Sequence, residues 1–139
     1  MISKTIVLDA NILIRAVLGQ RVRQLILAHA SEVSFFAPDV AYADARKYLP
    51  ALLKKRGASP EAALLVLDLL EPIVRPMALE LYASHQETAL QRIAVRDADD
   101  WPVLACAMAL NCPVWTEDAD FFGSGIATWT TDRVALYLA

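Results

Sequence analysis

The chain has 139 residues, 57% hydrophobic and 21% charged, with only 4 glycines. That composition suits one folded globular domain spanning 1–139 and excludes a disordered tail. The net charge of -3, from 16 acidic and 13 basic residues, argues against a passive nucleic-acid binder, which would be basic overall.

In chain order, Thr5-Ile6-Val7-Leu8 is an apolar, β-branched run ended by Asp9-Ala10-Asn11, which predicts a buried strand. Ile12 to Val17 is helical, and Gly19 ends it. Arg21 to Ala30 carries Val22, Leu25 and Ile26 on one helical stripe. Val33 to Ala37 is a second strand. Pro38-Asp39 opens a helix that runs to Lys55 and closes at Gly57, with Pro50 expected to kink or split it. Ser59-Pro60-Glu61 starts a helix that ends near Leu70. Ile73 to Arg75 is a third strand, Ala78 to Ile93 one long helix, and Arg96 to Asp100 a polar break. Pro102 to Leu110 is an apolar helix, Pro113 to Thr116 a fourth strand and Ile126 to Thr130 a fifth. Thr131-Asp132 caps a last helix to Leu138. Strands alternating with helices predict an α/β fold of three layers, with a central parallel sheet of about five short strands flanked by helices.

Cys106 and Cys112 show no Cys-x-x-Cys spacing and read as buried thiols of a reducing compartment. His29 and His85 have no ligand spacing to either, which argues against zinc. The apolar opening is cut by Asp9 and Asn11, with no small-residue cleavage site after it. Trp101 to Thr116 falls short of the roughly 20 residues of a membrane span. The expectation is a cytoplasmic protein with no membrane association.

Charge is unevenly placed. Half of the ten aspartates lie between Asp97 and Asp120, while the first half is locally basic, with Arg15, Arg21, Arg23, Arg46, Lys47, Lys54, Lys55 and Arg56. Ligands of open parallel sheets bind beyond the carboxyl ends of the strands. Asp9 follows the first strand, Asp118 the fourth, Asp100 opens the helix before the fourth, and Asp44 lies two turns into the helix after the second. Singly, each has an ordinary reading: Asp9 and Asp100 as helix caps, Asp44 as an exposed helix residue, Asp118 and Asp120 as turn residues. Together they could converge at one sheet edge. Buried, unpaired carboxylates cost several kcal/mol each, and a hard cation, Mg²⁺ or Mn²⁺, would offset that cost. Such a site serves in-line attack by metal-activated water on a phosphodiester.

Four segments carry a resemblance to a known family. Ile6-Val7-Leu8-Asp9-Ala10-Asn11 looks like the opening motif of PIN-domain proteins, in particular the VapC-like toxin ribonucleases of type II toxin–antitoxin systems. Pro38-Asp39-Val40-Ala41-Tyr42-Ala43-Asp44 resembles the second motif, Asp100-Trp101-Pro102-Val103-Leu104-Ala105-Cys106-Ala107 the third, and Val114-Trp115-Thr116-Glu117-Asp118 the fourth. The resemblance implies a divalent-metal endoribonuclease that dimerises and is inhibited by a small antitoxin. It makes Asp9, Asp44, Asp100 and Asp118 the catalytic acids, with Asp9, Asp100 and Asp118 on the metal. Asn11 and Thr116 become supporting polar residues, Asp97 and Asp99 extend the third motif, and Asp120 is a candidate for a second, weaker metal. The family's second acid is usually Glu, so Asp44 is shorter by about 1.5 Å of reach.

Two other classes compete. A haloacid-dehalogenase-like phosphotransferase also opens with an apolar strand and Asp, but it wants a second Asp where Asn11 stands. A non-catalytic interaction module on the same fold would tolerate the shorter Asp44.

Overall fold

The structure is a computed structural model and describes residues 4–139. Five parallel strands form one sheet in the order β3-β2-β1-β4-β5: β1 Lys4–Leu8, β2 Val33–Pro38, β3 Val74–Met77, β4 Val114–Trp115 and β5 Thr128–Trp129. Among the described residues, eight α-helices surround it: α1 Ala10–Leu18, α2 Arg21–His29, α3 Asp39–Lys55, α4 Pro60–Leu70, α5 Leu79–Tyr82, α6 Gln86–Asp97, α7 Trp101–Leu110 and α8 Val134–Leu138.

The central strand explains the layering. Successive side chains of a strand point to opposite faces, and β1 is apolar at every inner position. Ile6 and Leu8 join a core cluster with residues of α1, α2, α3, α4 and α8. Val7 joins a second cluster with residues of α5, α6 and α7. All three side chains are fully buried, each worth about 1.5–3 kcal/mol relative to exposure. Burial on both faces is what a parallel sheet demands, and it gives the three-layer α/β architecture expected from the strand–helix alternation. β3 closes one edge with Pro76, which has no N–H to offer a further strand.

Several element expectations are corrected. α3 runs unbroken from Asp39 to Lys55 through Pro50. Pro50 forfeits one helical hydrogen bond, but Leu49 and Leu53 are buried on either side of it and hold the helix to the core. The long helix expected from Ala78 to Ile93 is interrupted by a 3-10 turn at Ala83–His85, and its second part extends to Asp97. The break follows from Tyr82, which is fully buried. Its ring packs 5.7 Å from that of Trp101, and its hydroxyl donates to Asp39 Oδ1 at 2.6 Å. That anchorage draws Tyr82 off helical geometry, with φ -122° and ψ -4°.

The polar break is itself ordered, with Ala98–Asp100 forming a 3-10 turn. The last helix begins at Val134, with Thr131 and Asp132 in the turn before it. Both cysteines are free; Cys106 is buried and Cys112 only partly so. Among the described residues, no helix is long and apolar enough to cross a membrane.

The strand order reverses between β1 and β4: the chain builds outward from β1 to β2 and β3, then returns to the other side for β4 and β5. A crevice forms beyond the carboxyl ends of strands at such a switch point.

Candidate active site

The switch point holds Asp9 and Asp118, directly after β1 and shortly after β4. Asp9 leaves β1 in extended geometry and caps α1, its Oδ1 accepting from the Ala10 N–H at 2.7 Å. The cap reading of Asp9 holds, and the cap engages only one of its two carboxylate oxygens. Its backbone N–H continues the β1–β4 seam by donating to the Trp115 carbonyl at 3.1 Å. This ties Asp9 to the strand that delivers Thr116 and Asp118.

Thr116 is fully buried, and its hydroxyl is used to capacity. It donates to Asp9 Oδ2 at 2.8 Å, and it accepts from Asn11 Nδ2 at 3.2 Å and from the Asp118 N–H at 3.0 Å. Asn11 Nδ2 also donates to Asp9 Oδ2 at 3.2 Å, while Asn11 Oδ1 accepts from the Glu117 N–H at 3.2 Å. A carboxylate offers about four lone-pair sites. Three on Asp9 are occupied by Ala10, Asn11 and Thr116, which leaves one on Oδ1 open.

Asp100 stands at the start of α7, but its side chain makes no capping bond. Its Oδ2 is buried and without a hydrogen-bond partner, an arrangement that native proteins avoid unless something else occupies the oxygen. One oxygen each from Asp9, Asp100 and Asp118 lies within 4.8 Å of the others. Asp97, Asp100 and Asp120 form a second such group sharing Asp100. Asp118 also acts in its turn, Oδ1 accepting from the Asp120 N–H at 2.9 Å. Asp97 does the same for Asp99 at 3.0 Å. Asp99 belongs to neither carboxylate group.

Asp44 is exposed on α3 and stands outside both groups. It remains in electrostatic range, because its charge helps to raise the Asp9 carboxyl.

The electrostatics follow from burial and like charge. Burial holds the Asp9 carboxyl above its ordinary range. The bonds from Thr116 and Ala10 pull it back, and the charges of Asp118 and Asp44 push it up again. Asp100 is pushed up to about 8, first by burial and then by the charges of Asp9, Asp118 and Asp97. Carboxylates crowded in this way lack a positive charge. The donor set is hard oxygen throughout, with one free lone-pair site on Asp9 and a bare oxygen on Asp100, and it fits Mg²⁺ or Mn²⁺.

Two contributors escape a reading of the sequence. Glu117 links the site to the far edge of the sheet, its Oε1 accepting from the Thr131 N–H at 2.8 Å. Its place between Thr116 and Asp118 is the only signal for it in the sequence. Arg96 Nη1 donates to the Asp120 carbonyl at 3.3 Å, which braces the turn after Asp118. Gly123, at φ 86°, passes over the same guanidinium: a Cβ there would lie 2.7 Å from Arg96 Nη2. The glycines of the segment from Phe121 to Gly125 thus lie against Arg96 and Arg92 of α6.

Comparison with known proteins bears on the family and the fold. The PIN domain family matches residues 7–139. No curated protein matches the sequence. VapBC2 from Rickettsia felis, bound to a DNA fragment from its promoter, is similar with a TM-score of 0.65 at 13% identity, over 91% of this chain and 98% of that one. VapBC-1 from nontypeable Haemophilus influenzae is similar with a TM-score of 0.63 at 17% identity, over 92% and 98% of the two chains. At these identities the two structures establish the fold. With the family match running through nearly its whole length, the chain belongs to the PIN domain family, a family of nucleases.

Proposed function

We propose that this chain is a single-domain, divalent-metal-dependent endoribonuclease and the toxin of a toxin–antitoxin pair, working in the cytoplasm. The observation that carries the catalytic part is the meeting of Asp9, Asp100 and Asp118, with Asp100 Oδ2 buried and unpartnered. These three side chains would hold Mg²⁺ or Mn²⁺. When bound, such a cation supplies Lewis-acid chemistry, making water a better nucleophile and neutralising charge on a phosphodiester.

The chain's own residues do the positioning. Thr116 and Asn11 fix the plane of the Asp9 carboxylate, and the Thr116 bond offsets part of the rise that burial imposes on it. Asp118 is fixed through its backbone N–H to Thr116 and through its side chain to Asp120. Asp44 and Asp120 extend the negative field at the rim. Asp97 does so beside Asp100, where a second, weaker cation would sit. Asn11 spends its amide on Asp9, Thr116 and Glu117, so the second acid of a dehalogenase-like phosphotransferase has no counterpart here.

The toxin role draws on the two similar structures, both of VapBC complexes. It also draws on α3 and α4, where Tyr48, Leu65 and Leu69 are exposed. Exposed large apolar side chains suit a protein partner, either a small antitoxin or a second copy in a homodimer.

The test is cleavage of a mixed panel of single-stranded RNAs by purified protein in EDTA, Mg²⁺ or Mn²⁺, beside Asp9→Asn and Asp118→Asn variants. Metal-dependent cutting lost in both variants supports the proposal. Cutting that persists in both marks a contaminant. No cutting with any metal, across structured and unstructured RNAs, returns the chain to a non-catalytic interaction module.

A further inference from the structure

The basic residues of the first half do not share one fate. Arg46 pairs with Asp68 at 2.9 Å and with Glu71. Arg23 donates to the Ala16 carbonyl at 3.2 Å. Among the described residues, Arg15, Arg21 and Arg56 make no ion pair. All three line a single cavity of about 440 Å³, and no acidic residue lines it with them. They come from three elements: α1, the first residue of α2, and the residue that ends α3. Three like charges in one concavity, with no acidic residue in its lining, raise a local positive potential that low-dielectric walls focus outward. This happens on a chain whose net charge is -3.

The cavity begins where the hydrogen-bond network of the carboxylate site ends. Thr131 lines it, the Thr131 N–H donates to Glu117 Oε1, and the Glu117 N–H donates to Asn11 Oδ1. Arg15 is four residues beyond Asn11 on α1, so the two share a helix face about one turn apart, roughly 5.4 Å along the axis.

We propose that Arg15, Arg21 and Arg56 form a phosphate subsite that grips the backbone of single-stranded RNA beside the bond to be cut, a role resting on the nuclease reading above. The carboxylate site repels a polyanion until a cation fills it, so affinity for RNA must come from a basic surface alongside. Guanidinium forks match phosphate oxygens in pairs and stay charged at every working pH. An acidic peptide could also meet three arginines. It would have no phosphate to carry on to the metal-loaded site, so continuity between cavity and site favours RNA.

Binding of a short, fluorescently labelled, mixed-sequence single-stranded RNA is measured by anisotropy in EDTA, where no cleavage is required, across a series of salt concentrations. The probe is compared on wild type, the triple Arg15→Gln/Arg21→Gln/Arg56→Gln variant and the corresponding triple Lys variant. Each phosphate contact contributes about 0.7 to the slope of log affinity against log salt for a single strand. The Gln triple should therefore lose roughly 2 units of slope and bind weaker by about tenfold per arginine at low salt. The Lys triple should regain the slope. The three single Gln variants, each at an exposed position, carry the same reading in smaller steps if the triple melts early. An unchanged slope and affinity in the Gln variants overturns the subsite, as does a wild type that binds no RNA at low salt. A polyglutamate peptide that binds wild type and is lost in the Gln triple, with RNA binding unaffected, overturns it in favour of an acidic protein partner. If RNA binding behaves as expected and the cleavage panel stays silent, the nuclease reading fails and with it the placement beside a bond to be cut, while RNA binding by the three arginines stands.

Discussion

Thr116 Oγ1 donates a 2.8 Å hydrogen bond to Asp9 Oδ2, joining the first residue after β1 to the first residue after β4. The same oxygen accepts from Asn11 Nδ2 and from the Asp118 N–H, so one buried hydroxyl sets the positions of two of the three converging acids. Thr116→Val keeps the shape and removes all three bonds. Mn²⁺ affinity should fall by about 10–100-fold, and folding stability by about 1–3 kcal/mol because the Asp118 N–H is stranded. Thr116→Ser should recover most of both. Calorimetric titration and denaturant unfolding check the pair, and a Val variant that binds metal as wild type does would remove Thr116 from the site.

Crowded carboxylates also make the metal-free fold pH-sensitive. Asp100 rises from its ordinary 3.8 to about 8 in the folded chain. Between those two values the folded state holds more protons than the unfolded state, so stability falls as pH rises and levels off above about 8. Asp9 acts in the same direction, through its burial. In EDTA, wild-type stability should decline from pH 4 to 8. Asp100→Asn should flatten that decline and exceed wild type at the alkaline end. Urea unfolding at a series of pH values reads it, and a wild type that becomes more stable across this window contradicts the assignment.

Asp44 is exposed and stands apart from the converging oxygens, in a position where the family usually has the longer Glu. Asp44→Glu should speed RNA cleavage, by as much as about 100-fold if an ångström of reach is what is missing. Mn²⁺ affinity of Asp44→Asn should change far less than that of Asp9→Asn. A Glu variant no faster than wild type means that Asp44 works through its charge at a distance.

Gly123 sits at φ 86° against Arg96. Gly123→Ala should cost about 1–2 kcal/mol of backbone strain and push the Arg96 guanidinium from the Asp120 carbonyl, loosening the turn after Asp118. Gly57→Ala, at φ 68° with open space around it, should lose the strain energy alone. Thermal unfolding of the two variants separates strain from contact. Equal losses would show that the Arg96 brace adds nothing.

How much of this was legible in the sequence depends on the range of the forces involved. Ile6, Val7 and Leu8 announce a strand buried on both faces because period-two geometry and apolarity are local. The placement of Asp9 and Asp118 at one sheet edge followed from parallel topology alone. The interruption near Tyr82 did not, because it depends on a phenol reaching Asp39, 43 residues away in sequence. Asp100 reads singly as a helix cap and through the family resemblance as a metal-binding acid, but only the packing of α7 shows its Oδ2 to be buried and bare. Arg15, Arg21 and Arg56 stand out in the sequence only as part of a locally basic first half. Their meeting in one cavity depends on how α1, α2 and α3 pack, which no periodicity encodes.

The cation site proposed at Asp9, Asp100 and Asp118 is open to a direct test. Calorimetric titration of Mn²⁺ into metal-free protein at pH 7, in two buffers of different ionisation enthalpy, tests it without any RNA. The expected result is saturable binding with proton release, because Asp100 must give up its proton to bind. Asp9→Asn and Asp118→Asn should abolish the binding, and Asp100→Asn should abolish both binding and proton release. Binding of undiminished strength in all three variants, or none in wild type at millimolar Mn²⁺, would contradict it.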